Sequence, residues 1–149
     1  SARLSQAAGC PVHTASAAIR EALAALGARR VCLFSPYPAW LTEEAANYWR
    51  GAGHVVAQVV KVSETFRAYE LTTQEVEQAL AQVRGEEVDA IVMSGTGMIT
   101  LPAIAARNGG RPPLLSSNLC CAWRLLKSTG TPPSALFRQA APQLAATLR

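Results

Sequence analysis

Apolar residues in this chain fall into short continuous runs separated by segments of helical period, and the two patterns alternate along its length. Ser16 to Leu26 sets Ala18, Ile19, Ala22, Leu23 and Leu26 at helical spacing. It begins near a capping residue, Thr14, and ends at Gly27, so it predicts an α-helix. The run Arg30-Val-Cys-Leu-Phe-Ser35 is apolar without alternation and stops at Pro36 and Pro38, as expected of a strand covered on both faces. The alternation then continues: helix Ala39 to Arg50 closed by Gly51 and Gly53, strand His54 to Val60, helix Thr72 to Val83, strand Asp89 to Ser94. It ends with helix Met98 to Ala106, strand Pro113 to Ser117 and helix Asn118 to Leu126. Strands joined by helices of this length imply right-handed crossovers, and the expected fold is a three-layer α/β/α domain on a four-stranded parallel sheet.

That domain is expected to occupy residues 1–130, with Ser1 to Ala8 as the tail of an earlier helix. Thr131-Pro-Pro-Ser134 reads as a linker. It leads to one amphipathic helix over Ala135 to Leu148, whose apolar residues Leu136, Phe137, Leu144 and Leu148 call for a partner. With 149 residues, half of them hydrophobic and 16% charged, the chain can bury one core but not two. No apolar run approaches the ~18 residues of a membrane span, and no basic start leads into a signal core. The expectation is a soluble, cytoplasmic protein without a membrane partner. The net charge of +4 is carried by dispersed arginines such as Arg20, Arg50, Arg84 and Arg124, a distribution that suits small anions and does not form the clustered basic face nucleic acid requires. Cys10, Cys32, Cys120 and Cys121 contain no C-x-x-C, and adjacent thiols poorly serve one tetrahedral ion, so no metal site is expected and the thiols should be reduced and mostly buried.

In open parallel sheets, ligands lie beyond the carboxyl ends of the strands, where helix N-termini present free amides. Three such ends stand out: Ser35-Pro-Tyr37-Pro38, Ser94-Gly-Thr-Gly97 and Ser117-Asn118. Ser, Thr and Asn at helix starts are first of all caps, worth about 1 kcal/mol each, and are second candidates for binding a carboxylate or phosphate. Tyr37, held between two prolines, supports no helix or strand, so its phenol is a candidate donor to an anion or a ring lying over the sheet edge. Ser94 to Gly97 lacks the third glycine of a dinucleotide fingerprint, and the chain has neither a phosphate-loop lysine nor a G-x-S-x-G elbow. His13, beside Thr14 at a helix start, could reach the ligand side or stand apart from it. His54 and Asp89 are placed at the beginnings of strands, away from it.

Taken together and in order, Gly9-Cys-Pro-Val-His-Thr-Ala-Ser-Ala-Ala-Ile19, Leu26-Gly-Ala-Arg-Arg-Val31, Ser35-Pro-Tyr-Pro38, Asp89-Ala-Ile-Val-Met-Ser-Gly-Thr-Gly97, Leu101-Pro-Ala-Ile104 and Leu115-Ser-Ser-Asn118 resemble the second half of the aspartate/glutamate racemase superfamily, in its maleate cis-trans isomerase and arylmalonate decarboxylase branch. The resemblance runs from about residue 9 to residue 128. It implies two similar α/β domains closing over a small carboxylate without metal or organic cofactor, with cysteine acid/base or nucleophilic chemistry and backbone amides on the developing oxyanion. It implies that Tyr37 meets a substrate carboxylate, that Ser94, Gly95, Thr96 and Gly97 form the loop carrying the second domain's cysteine, and that Ser117 and Asn118 shape the site. Here the cysteine position is Gly95, and the first domain is not in the chain. Cys120 or Cys121 as a substitute is opposed by their place inside a helix.

Three functions remain in view. The first is a cofactor-independent isomerase, racemase or decarboxylase of a small (di)carboxylate, completed by a missing N-terminal domain or by a second subunit in a homo-oligomer. The second is a non-catalytic anion-binding domain. The third is a dimerising module using the apolar segment after Ala135.

Overall fold

Residues 31–34 are valine, cysteine, leucine and phenylalanine, and none of their side chains can be left in water without cost, so the strand that carries them lies in the middle of the sheet. The computed structural model describes residues 2–107 and 109–148. In it β1 (Arg30–Ser35) is flanked by β2 (Val55–Lys61) on one side and β3 (Ala90–Met93) on the other, and β4 (Leu114–Ser116) completes the order β2-β1-β3-β4, parallel throughout. Val31, Cys32, Leu33 and Phe34 are fully buried, as are Ala90 to Met93. The continuous apolar runs thus become strands covered on both faces.

Helices form where the sequence offers a cap and a one-sided apolar stripe. After α1 (Ala2–Ala8), α2 (Ala15–Ala25) starts at Thr14, whose hydroxyl accepts the Ala17 N–H, and buries Ala18, Ile19, Ala22 and Leu23. Its alanines allow close packing against α6 (Ser117–Thr129), which buries Leu119, Cys120 and Trp123. α3 (Ala39–Gly51) connects β1 to β2. α4 (Thr73–Leu80) opens with a full capping box between Thr72 and Glu75 and leads, through a 3₁₀ turn at Gly85–Glu87, to β3. α5 (Leu101–Ala106) joins β3 to β4. The strand order sends β1 to β2 in one direction and β3 to β4 in the other, so the chain reverses its winding between β1 and β3. No described helix is long and apolar enough to cross a membrane.

Several expected boundaries move. The strand expected over Pro113 to Ser117 is shorter, because Ser116 already caps α6 by accepting the Leu119 N–H. The helix expected from Met98 begins at Leu101, with Pro102 in its first turn. The single helix expected over Ala135 to Leu148 is two, α7 (Ala135–Ala140) and α8 (Pro142–Ala145), since Pro142 has no N–H to continue the ladder and Ala141 leaves the helical region. Nor does its apolar side wait for a partner. Ala140, Ala141 and Leu144 are in the domain's own core, Phe137 and Leu148 pack against it, and the Trp123 indole donates to Thr147 Oγ1 at 3.0 Å. Of that segment's four large apolar residues only Leu136 stays exposed, which removes the motive for a dimerising module built on it. The thiols also divide evenly: Cys32 and Cys120 are buried, whereas Cys10 and Cys121 are exposed.

At the opposite end of the sheet from any ligand side, Asp89 ties two strands together. Its Oδ2 accepts the backbone N–H groups of Arg29 and Arg30, both at 2.8 Å, and these bonds hold its carboxyl below the usual carboxylate range. A folded-state value below the unfolded one means that the stabilisation is present at neutral pH and is lost as the pH falls through the acidic range. Asp89→Asn should therefore lower stability at pH 7 by about 1 kcal/mol, a figure reduced for exposure, and denaturant titrations of the two proteins should converge as the pH is lowered. The thiols give a second check. Burial pushes Cys32 up to about 11 and raises Cys120 further, so a disulfide reagent at pH 8 should modify Cys10 and Cys121 in the native protein and the other two only after unfolding.

Candidate functional site

The carboxyl end of β1 is fixed by two buried hydroxyls. Ser35 and Thr42 are almost fully buried and their Oγ atoms lie 2.8 Å apart; Ser35 Oγ also accepts the Tyr37 N–H at 3.3 Å, and Thr42 Oγ1 donates to the Tyr37 carbonyl at 3.1 Å. The turn Pro36-Tyr37-Pro38 is thereby tied to the first turn of α3. Prolines on both sides restrict φ and deny the segment to any ladder, which leaves Tyr37 projecting from the strand end. Its ring stacks on Phe66, with centroids 5.9 Å apart and planes 14° from parallel.

Beside it, the end of β3 is anchored by the Ser94 N–H, which donates to the Phe34 carbonyl at 2.9 Å. The chain then turns through Gly95 at φ 96°, a conformation that glycine adopts without strain. A Cβ at this position would stand 2.8 Å from the Tyr37 hydroxyl oxygen, so the phenol lies directly over the Gly95 backbone. Gly97 is covered in the same way by the Tyr69 ring, which leaves no room for a Cβ.

These residues line an open cleft of about 360 Å³ at the switch between β1 and β3. Its walls are Ala15, Ser16 and Ile19 of α2, Ala45, Tyr48 and Trp49 of α3, Tyr37, the segment Ser94-Gly95-Thr96, and Ser117 of α6. Of the expected site residues, Tyr37, Ser94, Gly95, Thr96 and Ser117 are thus brought together. Gly97 lies just behind, under Tyr69. Asn118 is exposed and faces a different, apolar groove between α5, α6 and α7, with Met98, Leu119 and Phe137. Thr14 acts as the α2 cap at the cleft's edge. His13 points elsewhere: its Nε2 is 3.4 Å from Arg124, which is ion-paired with Glu21 on the α2–α6 seam.

The cleft is uncharged, with hydroxyls and loop backbone set among mostly apolar walls. No Lys, Arg, His, Asp, Glu or Cys is among its described lining residues, and the ionisable groups on its walls are the phenols of Tyr37 and Tyr48. What faces an incoming anion is instead the positive ends of α2 and α6, the backbone of the glycine loop, and the hydroxyls of Ser16, Ser94, Thr96 and Ser117. No cluster of His, Cys, Asp and Glu among the described residues could hold a metal ion. Sequence reasoning did not find Ser16, Tyr48 and Trp49, or the aromatic residues of the loop after β2. The helical residues are indistinguishable from ordinary faces of α2 and α3. The loop aromatics could have been suspected, because nothing periodic accounts for them.

Two glycine substitutions separate backbone strain from crowding. Gly27, at φ 66°, has open space around it, so Gly27→Ala should cost about 1 kcal/mol, for its left-handed backbone alone. Gly95→Ala must in addition displace the Tyr37 phenol, and guanidinium titration should show it to be the more costly change by roughly 1–2 kcal/mol.

The model of one protein family, arylmalonate decarboxylase, matches residues 1–140. Among solved structures, the chain is similar to the Nocardia farcinica maleate cis-trans isomerase at 27% identity and a TM-score of 0.80, over 92% of this chain and 56% of that one. The maleate isomerase Iso from Pseudomonas putida S16 aligns at 25% identity with a TM-score of 0.79, over 93% and 56%. An arylmalonate decarboxylase aligns at 25% identity with a TM-score of 0.70, over 91% and 57%. A comparison with curated proteins finds no match. The chain spans little more than half the length of these structures. The chain belongs to the arylmalonate decarboxylase family, as a partial-length domain within the aspartate/glutamate racemase-like superfamily.

Proposed function

We propose that the cleft at the ends of β1 and β3 binds a small carboxylate or dicarboxylate, and that this domain belongs to a cofactor-independent isomerase, racemase or decarboxylase. The reading is carried by one observation: a tyrosine at a strand end, a glycine loop and two helix N-termini converge on a single uncharged cleft. Aligned dipoles compensate a carboxylate without bringing a counter-charge whose own desolvation would have to be overcome. The Tyr37 phenol then donates to one carboxylate oxygen, and Ser94, Thr96, Ser117 and the amides of the glycine loop serve the other, with Thr14 at the margin as the α2 cap. Two neighbours support the substrate class. One Pseudomonas putida isomerase structure contains maleate, and a variant of the Nocardia farcinica enzyme contains a covalently bound succinylcysteine intermediate.

The chemical step needs a group that this cleft does not hold in thiol form, because Gly95 stands where the resemblance places a cysteine. Proton transfer therefore falls to Tyr37 or to a side chain brought by another domain or a second copy of the chain. A second reading, carboxylate binding without turnover, is favoured by the lack of Cys, His, Asp and Glu among the described lining residues.

Both readings predict that maleate, aspartate or phenylmalonate raises the melting temperature. At a concentration near 100 times Kd the gain is about 2.7 kcal/mol, or roughly 5–10 °C for a domain of this size. Tyr37→Phe should weaken that protection by about tenfold in Kd. Protection lost in Tyr37→Phe supports the carboxylate site, and no protection by any of the three overturns it. Turnover of the ligand that protects, followed by loss of optical activity, isomerisation or carbon dioxide release, separates the enzyme from the binder.

A further inference from the structure

The loop between β2 and α4 carries two aromatic side chains in costly positions: Phe66 is 53% exposed and Tyr69 is 76% exposed. Neither lines the cleft. Phe66 stacks on Tyr37, and Tyr69 meets Phe66 edge to face with centroids 6.3 Å apart and planes 88° from parallel. Tyr69 also presses on Gly97, as the Tyr37 hydroxyl does on Gly95. Each glycine of the Ser94–Gly97 loop is thus covered by a tyrosine, and Phe66 joins the two rings. The loop is fastened where it meets α4: Ala68 and Leu71 are buried, and Glu75 accepts the Thr72 N–H and hydroxyl, both at 2.8 Å, while also pairing with Arg67.

We propose that Phe66 and Tyr69 are positioning residues for the carboxylate site, Phe66 by holding the Tyr37 hydroxyl over Gly95 and Tyr69 by pinning the glycine loop whose amides face the ligand. The proposal rests on the carboxylate reading above. Phe66 does not line the cleft, and its ring stacks on that of Tyr37, so it restrains the phenol without occupying the ligand's space. Aromatic pairs of this geometry contribute beyond their buried area. A donor held in place before the ligand arrives loses less entropy on binding. The exposure of the two rings is then the cost of keeping the donor and the loop aligned.

The test uses the full chain with maleate as probe, read by calorimetry and by the amide NMR resonances of Gly95 and Gly97. Phe66→Leu should move the Gly95 resonance and weaken maleate binding by about 3–10-fold, whereas Phe66→Tyr, which keeps the stack, should leave both near wild type. Tyr69→Leu should move the Gly97 resonance. Because Phe66 acts through Tyr37, Phe66→Leu combined with Tyr37→Phe should bind no more weakly than Tyr37→Phe alone. Full additivity, or an unchanged Gly95 resonance in Phe66→Leu, would overturn the proposal. So would a Phe66→Leu variant that melts earlier while keeping wild-type affinity, since that marks a merely structural contact. A wild-type chain with no affinity for maleate or the other two carboxylates overturns the carboxylate reading itself, and the positioning role with it; wild-type affinity that survives Phe66→Leu overturns the positioning role alone.

Discussion

Everything in this domain depends on the removal of β1 from water. Val31, Cys32, Leu33 and Phe34 are buried between layers that the rest of the chain supplies, with β2 and β3 bonded on either side. Burial of side chains of this kind is worth roughly 1.5–3 kcal/mol each, more than any cap or surface ion pair in the molecule. A strand held from every direction has one free end at which the chain can do something else. That end is where the winding of the sheet reverses, and it is where Tyr37 sits.

A rigid strand alone would not make a site. The hydroxyl pair of Ser35 and Thr42 carries the order of the core one turn further: it is desolvated, satisfied within itself, and bonded to both the N–H and the carbonyl of Tyr37. The Ser94 amide does the same for β3 by bonding to Phe34. Two loops of little intrinsic order are thereby referred to one buried strand, and the distance between the Tyr37 phenol and the Gly95 backbone follows from that shared reference. The cleft's uncharged lining has the same origin. Helix ends and loop amides are fixed by the fold, so they need no long charged side chains to be held in place at entropic cost.

How much of this was legible in the sequence depends on where each signal is stored. Arg30 to Ser35 was readable to the residue, because a continuous apolar run bounded by Arg29 and Pro36 fits little except a strand buried on both faces. Thr14 announced its helix by side-chain chemistry that acts locally, and the Thr72–Glu75 box, equally local, emerged only with the structure. The segment after Ala135 misled because its apolar spacing is helical on both sides of Pro142, and the missing N–H of one residue outweighs a periodic pattern. Ser116 and Ser117 are equally good caps, so the start of α6 could not be fixed to one residue. At the site, Tyr37 and Ser94 to Gly97 were visible through prolines and glycines. That Asn118 turns to the apolar groove and His13 to Arg124 is settled by tertiary packing alone. The roles of Phe66 and Tyr69 were hidden for the same reason, since a loop's aromatic residues acquire meaning only from what they lie on.

Gly95 and Tyr37 are best understood as one unit. The resemblance that places a thiol at this position treats glycine as a simple deletion, leaving an empty space in an otherwise intact site. The geometry gives a different account: the space that a side chain at 95 would need is already taken by the Tyr37 hydroxyl, and the backbone at φ 96° is one that a side chain would strain. The loop can carry a side chain at 95 or the phenol over its backbone, but not both without moving one of them. On the carboxylate reading proposed above, a glycine loop with a phenol laid across it would hold the ligand still. A loop with a thiol in the same place is suited to exchanging a proton with it, and the difference between the two follows from one Cβ.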